Sequence, residues 1–284
     1  MKILNSKLLL IAVQILVLIF ISINLMSAKN RDKVQAKIIR TAYLADKDSS
    51  IQLGLLIQLA KDWHIYWKNP GDTGIPTTIE WKVPKDFKLL NKHWSIPKAF
   101  EFDGLVSYGY EDQVLFFAEL QIPNNTSESE INLSVKIESL ICKDVCIPFD
   151  TLINYQLDLR KSFMPDEYIA DLFTKTTNEL PVPVESNFIT ARNNSDKVYL
   201  RIDDSSNITF DKSNIFFLPY ENGLFTNTMK QLIQIGKGFS ELILEADQFR
   251  TKEPEEVYGL LIYDFTENNI KHTKAYEIKI PITK

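Results

Sequence analysis

The sequence predicts an all-β protein: two antiparallel β-sandwiches in tandem, joined by short helical connections, behind an N-terminal signal or anchor helix. Three observations carry this prediction. Apolar and polar residues alternate in short runs, the pattern of a half-buried strand. Clusters of Pro, Gly, Asn and Asp part the runs, as turns between antiparallel strands do. A chain of 284 residues with 45% hydrophobic side chains has material for about two cores.

The first element is a membrane address. Lys2 and Lys7 precede an apolar run from Leu8 to Met26, interrupted only by Gln14, Ser22 and Asn24. A positive start followed by an apolar stretch is the order of a secretory signal. The run also reaches the roughly 18 residues that let a helix span a bilayer. Residues 1–28 are therefore expected to be either a signal removed near Ala28 or a retained membrane anchor, and the remainder of the chain is exported.

Residues 29–160 read as the first sandwich. Strands are expected at Ile51 to Leu59, Trp63 to Trp67, Thr77 to Trp81, Val114 to Ile122, Ile131 to Ile137 and Thr151 to Leu159. Ile131, Leu133, Val135 and Ile137 share one face, with Asn132, Ser134, Lys136 and Glu138 on the other. Residues 161–182 read as a linker. Pro165 followed by Ile169, Leu172 and Phe173 at helical spacing predicts a short helix that ends before Pro181. Residues 183–284 read as a second β-rich domain, with strands at Val198 to Ile202, Asn214 to Leu218, Glu241 to Glu245, Val257 to Phe265 and Ala275 to Ile280. The spacing of Met229, Leu232 and Ile233, with Gly236 as a cap, predicts a helix from about Asn227 to Ile235.

Composition excludes several functions. With 32 basic against 37 acidic residues, the chain has no cationic excess to displace counterions from nucleic acid. Two cysteines and three histidines cannot build a four-thiolate zinc site, a four-cysteine iron–sulfur cluster or a disulfide scaffold. The sequence lacks the nucleophile elbow, the phosphate-binding glycine loop and the paired-histidine zinc motif.

The chemistry-bearing feature is Cys142-Lys143-Asp144-Val145-Cys146, between an alternating strand and the next one. Two cysteines bracketing three residues can face each other across a hairpin tip, at a separation that suits a disulfide. As a staple such a bond is weak: closing a five-residue ring contributes about 2 kcal/mol, against about 3 for fifteen residues. Small exposed disulfides are the ones suited to exchange. The spacing alone leaves three uses open: a redox pair, a structural bond, or a Cu(I) site completed by His64 or His93.

A longer set of motifs divides these possibilities. Trp63-His64-Ile65-Tyr66-Trp67-Lys68-Asn69-Pro70-Gly71-Asp72-Thr73-Gly74 runs on through Ile75 to Trp81. Trp94-Ser95-Ile96-Pro97, Tyr108-Gly109-Tyr110-Glu111 and the cysteine segment follow in order. Together they resemble the periplasmic N-terminal domain of thiol:disulfide interchange proteins of the DsbD type, and the ScsB-like branch most closely. The resemblance implies an immunoglobulin-like module without a bound cofactor or metal. Its cysteines, Cys142 and Cys146, would take electrons from a membrane-embedded thiol donor and pass them to oxidised periplasmic proteins, Cys146 attacking the client. It also implies a cap loop at Phe100 to Gly104, containing Phe102 and Asp103, and a site lined by His64 and Tyr66. The best-known members have a longer gap between the cysteines. They also continue into a multi-span membrane domain and a thioredoxin-like domain, so two readings are open here: a separate membrane carrier supplies the electrons, or the chain is a non-enzymatic exported binding or assembly module with a structural disulfide.

Overall fold

The computed structural model describes residues 32–45, 49–184, 188–203, 215–267 and 270–283. The signal or anchor expected at residues 1–28 lies outside them. Among the described residues, no helix is long and apolar enough to cross a membrane.

The first half contains β1 (Val34–Arg40), β2 (Ser50–Leu59), β3 (His64–Gly71), β4 (Thr78–Lys82), β5 (Lys88–His93), β6 (Lys98–Phe102), β7 (Leu105–Glu111), β8 (Gln113–Gln121), β9 (Glu130–Cys142) and β10 (Cys146–Asp158). They form two facing sheets. One has the order β1-β2-β8-β5; the other has the order β10-β9-β3-β7-β6, with β4 also pairing β9. This is an immunoglobulin-like β-sandwich. Leu53, Leu55, Ile57 and Phe116 from the first sheet meet Ile65, Trp67, Tyr108 and Ile137 from the second, all fully buried. Each such side chain contributes about 1.5–3 kcal/mol of transfer free energy.

Strand β3 runs further than the sequence suggests, through Asn69 and Pro70 to Gly71. Its pairing with β7 shifts register between Tyr66 and Gly71. A bulge tolerates the proline there, because Pro70 has no N–H to give to a ladder.

The expected connecting helix forms as α1 (Glu167–Asn178), capped by Asp166, whose carboxylate accepts the Ile169 amide at 2.8 Å. Its apolar stripe is laid on the outside of the first sheet. Ile169 and Phe173 pack with Ile39, Leu56, Leu115 and Phe117, giving that sheet a second, smaller core.

The second half contains β11 (Val182–Pro183), β12 (Ile189–Asn194), β13 (Lys197–Asp203), β14 (Ile215–Pro219), β15 (Leu232–Gly236), β16 (Phe239–Glu245), β17 (Glu256–Glu267) and β18 (Ile270–Thr283). They run β14-β17-β18-β12-β13-β16-β15, and β11 adds to β18 in parallel. The sheet closes around a core of its own that includes Leu200, Phe217, Leu242, Leu261 and Ile278.

The helix expected from about Asn227 to Ile235 does not form. Residues Leu232–Gly236 are strand β15, paired with β16 from Leu232↔Ile243 to Gly236↔Phe239. Gly236 is no helix cap: the Phe239 ring covers it, and a Cβ there would come within 2.3 Å of that ring. The apolar spacing fits either structure, and the tight Lys237-Gly238 turn onto β16 decides it.

The two halves share apolar contact. Leu218, Leu260, Ile262 and Ala275 belong to the same continuous cluster as the first sandwich's core.

Candidate functional site

The ladder between β9 and β10 runs from Glu130↔Asp158 to Cys142↔Cys146. The register is unbroken, so the cysteines are carried opposite each other at the tip, where only Lys143, Asp144 and Val145 intervene. They form a disulfide with a Cα separation of 4.1 Å. The two ends differ in access: Cys142 is 2% exposed, whereas Cys146 is exposed.

Register extends the pair into a row. Cys142 faces His64 on β3, and His64 faces Glu111 on β7. Residues directly opposite on neighbouring strands have Cβ atoms about 4.5–5.5 Å apart, so Cys146, Cys142, His64 and Glu111 stand side by side across four strands. Burial holds the His64 imidazole below its ordinary pKa, and the Glu111 carboxylate only partly offsets this. Lys98 pairs with Glu111 at 3.3 Å. At the hairpin tip, Lys143 pairs with Asp62 at 3.0 Å, which raises the lysine pKa through that hydrogen bond.

Tyr66, buried, directs its hydroxyl to the exposed cysteine, 3.9 Å from Cys146 Sγ. A chain of hydroxyls continues from it: Thr73 Oγ1 lies 3.4 Å from the Tyr66 hydroxyl, and Ser107 Oγ lies 2.5 Å from Thr73 Oγ1. The Tyr66 ring also meets His64 edge-on, with centroids 5.2 Å apart.

Four of the residues singled out in the sequence thus come together: Cys142, Cys146, His64 and Tyr66. The other two stand apart. Phe102 and Asp103 are at the β6–β7 tip, where Asp103 and Gly104 both take left-handed backbone angles, as a two-residue hairpin turn requires. The Phe102 ring is 81% exposed. Phe100, two residues earlier on the same face of the strand and opposite Ser107, is the aromatic that reaches the site, stacking on His64 at 5.3 Å.

His93 lies on the other sheet against Phe117, 4.7 Å between centroids. Of the two histidines considered for copper, only His64 neighbours the sulfurs. Sequence reasoning did not single out Thr73, Ser107 or Glu111 as site residues; each falls within or beside the quoted motifs, but only the strand registers bring them in.

The first sandwich, with the sulfur pair at its hairpin tip, is similar to known proteins. Residues 34–156 match the family described as thiol:disulfide interchange protein DsbD, N-terminal. The matched segment covers nearly all of the first sandwich and both cysteines. The crystal structure of the N-terminal periplasmic domain of ScsB from Proteus mirabilis is similar at a TM-score of 0.59 and 20% identity, over 88% of this chain and 94% of that one. That likeness is one of fold, and it extends well beyond residues 34–156 into the second half. The reduced DsbD n-terminal domain of Neisseria meningitidis aligns over 45% of this chain and 90% of that one, at 14% identity and a TM-score of 0.26. No curated protein sequence matches.

Proposed function

We propose that the protein is a periplasmic thiol-disulfide exchange module that takes electrons from a membrane-embedded thiol carrier and passes them to oxidised client proteins. The observation that carries this reading is the disulfide at the hairpin tip, with one cysteine exposed and the other buried, inside the matched residues 34–156.

In the reduced protein, the Cys146 thiolate attacks one sulfur of a client disulfide. A mixed disulfide forms, and the other client sulfur leaves as a thiolate and takes up a proton. Cys142 then attacks the Cys146 sulfur, the internal disulfide closes, and the second client thiolate departs. The client gains two electrons and two protons, and a carrier dithiol restores the module. The exposed Cys146 is the sulfur a client can reach. Tyr66 offers a hydrogen-bond donor to that sulfur when it carries charge. A neutral His64 beside Cys142 can take the proton that this thiol loses before it resolves the mixed disulfide. Phe102 and Asp103, exposed at the β6–β7 tip, fit a surface that meets a client better than a lid resting on the sulfurs. The N-terminal apolar segment directs export and, if uncut, keeps the module at the membrane.

Equilibration with mixtures of reduced and oxidised glutathione tests the reading. The folded protein is expected to interconvert reversibly between disulfide and dithiol. A Cys142→Ser protein should take up one glutathione from oxidised glutathione at Cys146. A pair that glutathione leaves untouched until the protein unfolds would be a structural bond, and the proposal would be wrong.

A further inference from the structure

The turn that holds Tyr66 is itself held by the second half of the chain. Asn69, fully buried, donates from Nδ2 to the Pro219 carbonyl at 2.8 Å. Asn222 donates from Nδ2 to the Gly71 carbonyl at 3.1 Å. Asn227 donates from Nδ2 to Asp72 Oδ1 at 2.8 Å, while Asp72 Oδ2 accepts the Val106 amide at 2.8 Å. The next two residues are the ones that fix Tyr66: Thr73 meets its hydroxyl, and Gly74 lies against its ring.

We propose that Asn222 and Asn227 are positioning residues for Cys146, acting through the Gly71-Asp72-Thr73-Gly74 turn and Tyr66. The inference rests on the exchange reading of the cysteine pair and gives the second half a role in it. The contact from the Tyr66 hydroxyl to Cys146 Sγ, at 3.9 Å, is at the long end for a hydrogen bond to sulfur. Displacing the turn by a few tenths of an ångström removes the donor, and the sulfur then holds its proton more tightly. The charged and titratable groups around Cys146 are Lys143 and Asp144 in its own loop, Asp62 paired with Lys143, and the neutral His64 and Glu111 along the row. None of them touches either asparagine, so a change at position 222 or 227 reaches the sulfur by way of the turn.

The test uses the full chain carrying Cys142→Ser, in which Cys146 is the sole thiol. Its alkylation by iodoacetamide is followed against pH. Asn227→Asp removes the donor and sets one carboxylate against another. It is expected to slow alkylation at pH 7 by about threefold to tenfold and to move the profile to higher pH, with the plateau at high pH unchanged. Combining Asp72→Asn with Asn227→Asp exchanges donor and acceptor and should restore the original profile. In a Tyr66→Phe background, Asn227→Asp should have no further effect, because the path to the sulfur is already cut. If Asn227→Asp does not fold, Asn222→Ser, too short to span to Gly71, takes its place with the same expectation. An unmoved profile, an equal slowing with and without the Tyr66 hydroxyl, or no restoration by the exchanged pair overturns the proposal. The glutathione equilibrium reads exchange independently, so an exchanging pair with an unmoved profile removes only the positioning role.

Discussion

Gly74 lies flat against the ring of Tyr66. A Cβ at position 74 would stand 2.3 Å from Tyr66 Cζ, and the residue has φ of +82°, a conformation that favours glycine. The turn therefore presses directly on the side chain that reaches Cys146. Gly74→Ala is expected to lower stability by about 1–3 kcal/mol from backbone strain alone, and by more once the ring is displaced. Thermal unfolding measures the first effect. Slower alkylation of Cys146 in the Cys142→Ser protein measures the second, and alkylation at the parent rate would show that the ring's position does not matter to the sulfur.

Tyr66→Phe separates hydrogen bonding from packing. The ring stays under Gly74, and Thr73 keeps its partner in Ser107, so stability should fall by no more than about 0.5–1.5 kcal/mol, the net worth of one hydrogen bond. The Cys146 thiolate, however, loses its donor. Alkylation at pH 7 should slow by about threefold to tenfold, with the midpoint of the pH profile raised. A variant that loses stability while keeping its pH profile would make the hydroxyl purely structural.

Part of the first sandwich is legible in the sequence because strands such as β9 have one wet face. Ile131, Leu133, Val135 and Ile137 are buried in alternation, as their spacing predicts, and the break between two such strands places the cysteines at a hairpin tip. The row of Cys142, His64 and Glu111 is not legible. It depends on the registers of β9, β3 and β7, which are set by packing between residues far apart in the chain. The same limit applies to Leu232–Gly236, whose apolar spacing serves helix or strand until β16 is beside it. Phe100 and Phe102 share one face of β6, and only the register on β7, which sets Phe100 opposite Ser107 and leaves Phe102 at the turn, determines which ring meets His64.

Lys68 gives the contact between the halves a pH dependence. Its ammonium lies 3.3 Å from the Tyr220 ring centroid, and burial lowers its pKa to about 8, against an opposing pull from Glu277. Below pH 8 the group is charged whether the chain is folded or not, and the fold bears the burial cost in full. Between pH 8 and about 10 the unfolded chain still holds a proton that the folded one has released, so stability from this group rises with pH. Tyr108 and Tyr220, whose phenols burial pushes up, act in the opposite sense only above about pH 10. Urea unfolding at pH 8 and pH 9.5 should show a rise for the parent that Lys68→Met lacks. Equal slopes in the two proteins would mean that Lys68 titrates as it does in water.

His64 should remain neutral throughout the neutral pH range. Burial dominates its pKa, and part of that burial is the stacked Phe100 ring at 5.3 Å. The neighbouring Glu111 pulls the other way and is itself engaged by Lys98 at 3.3 Å. Phe100→Ala admits water to the imidazole while leaving Glu111 in place, so the His64 pKa should climb towards or past 6.5, the ordinary value. The change is read from the imidazole proton resonances by nuclear magnetic resonance as pH is varied. With the folded pKa lowered, the folded protein protonates His64 less readily than the unfolded chain does. Parent stability should therefore fall as pH drops through about 6.5, and that fall should flatten in the variant. Glu111→Gln should act oppositely, depressing the His64 pKa further by removing the one attraction that favours its charge. If both substitutions leave the imidazole titration where it was, neither the stacked ring nor the carboxylate sets the protonation of His64, and its assignment as proton acceptor beside Cys142 loses its basis.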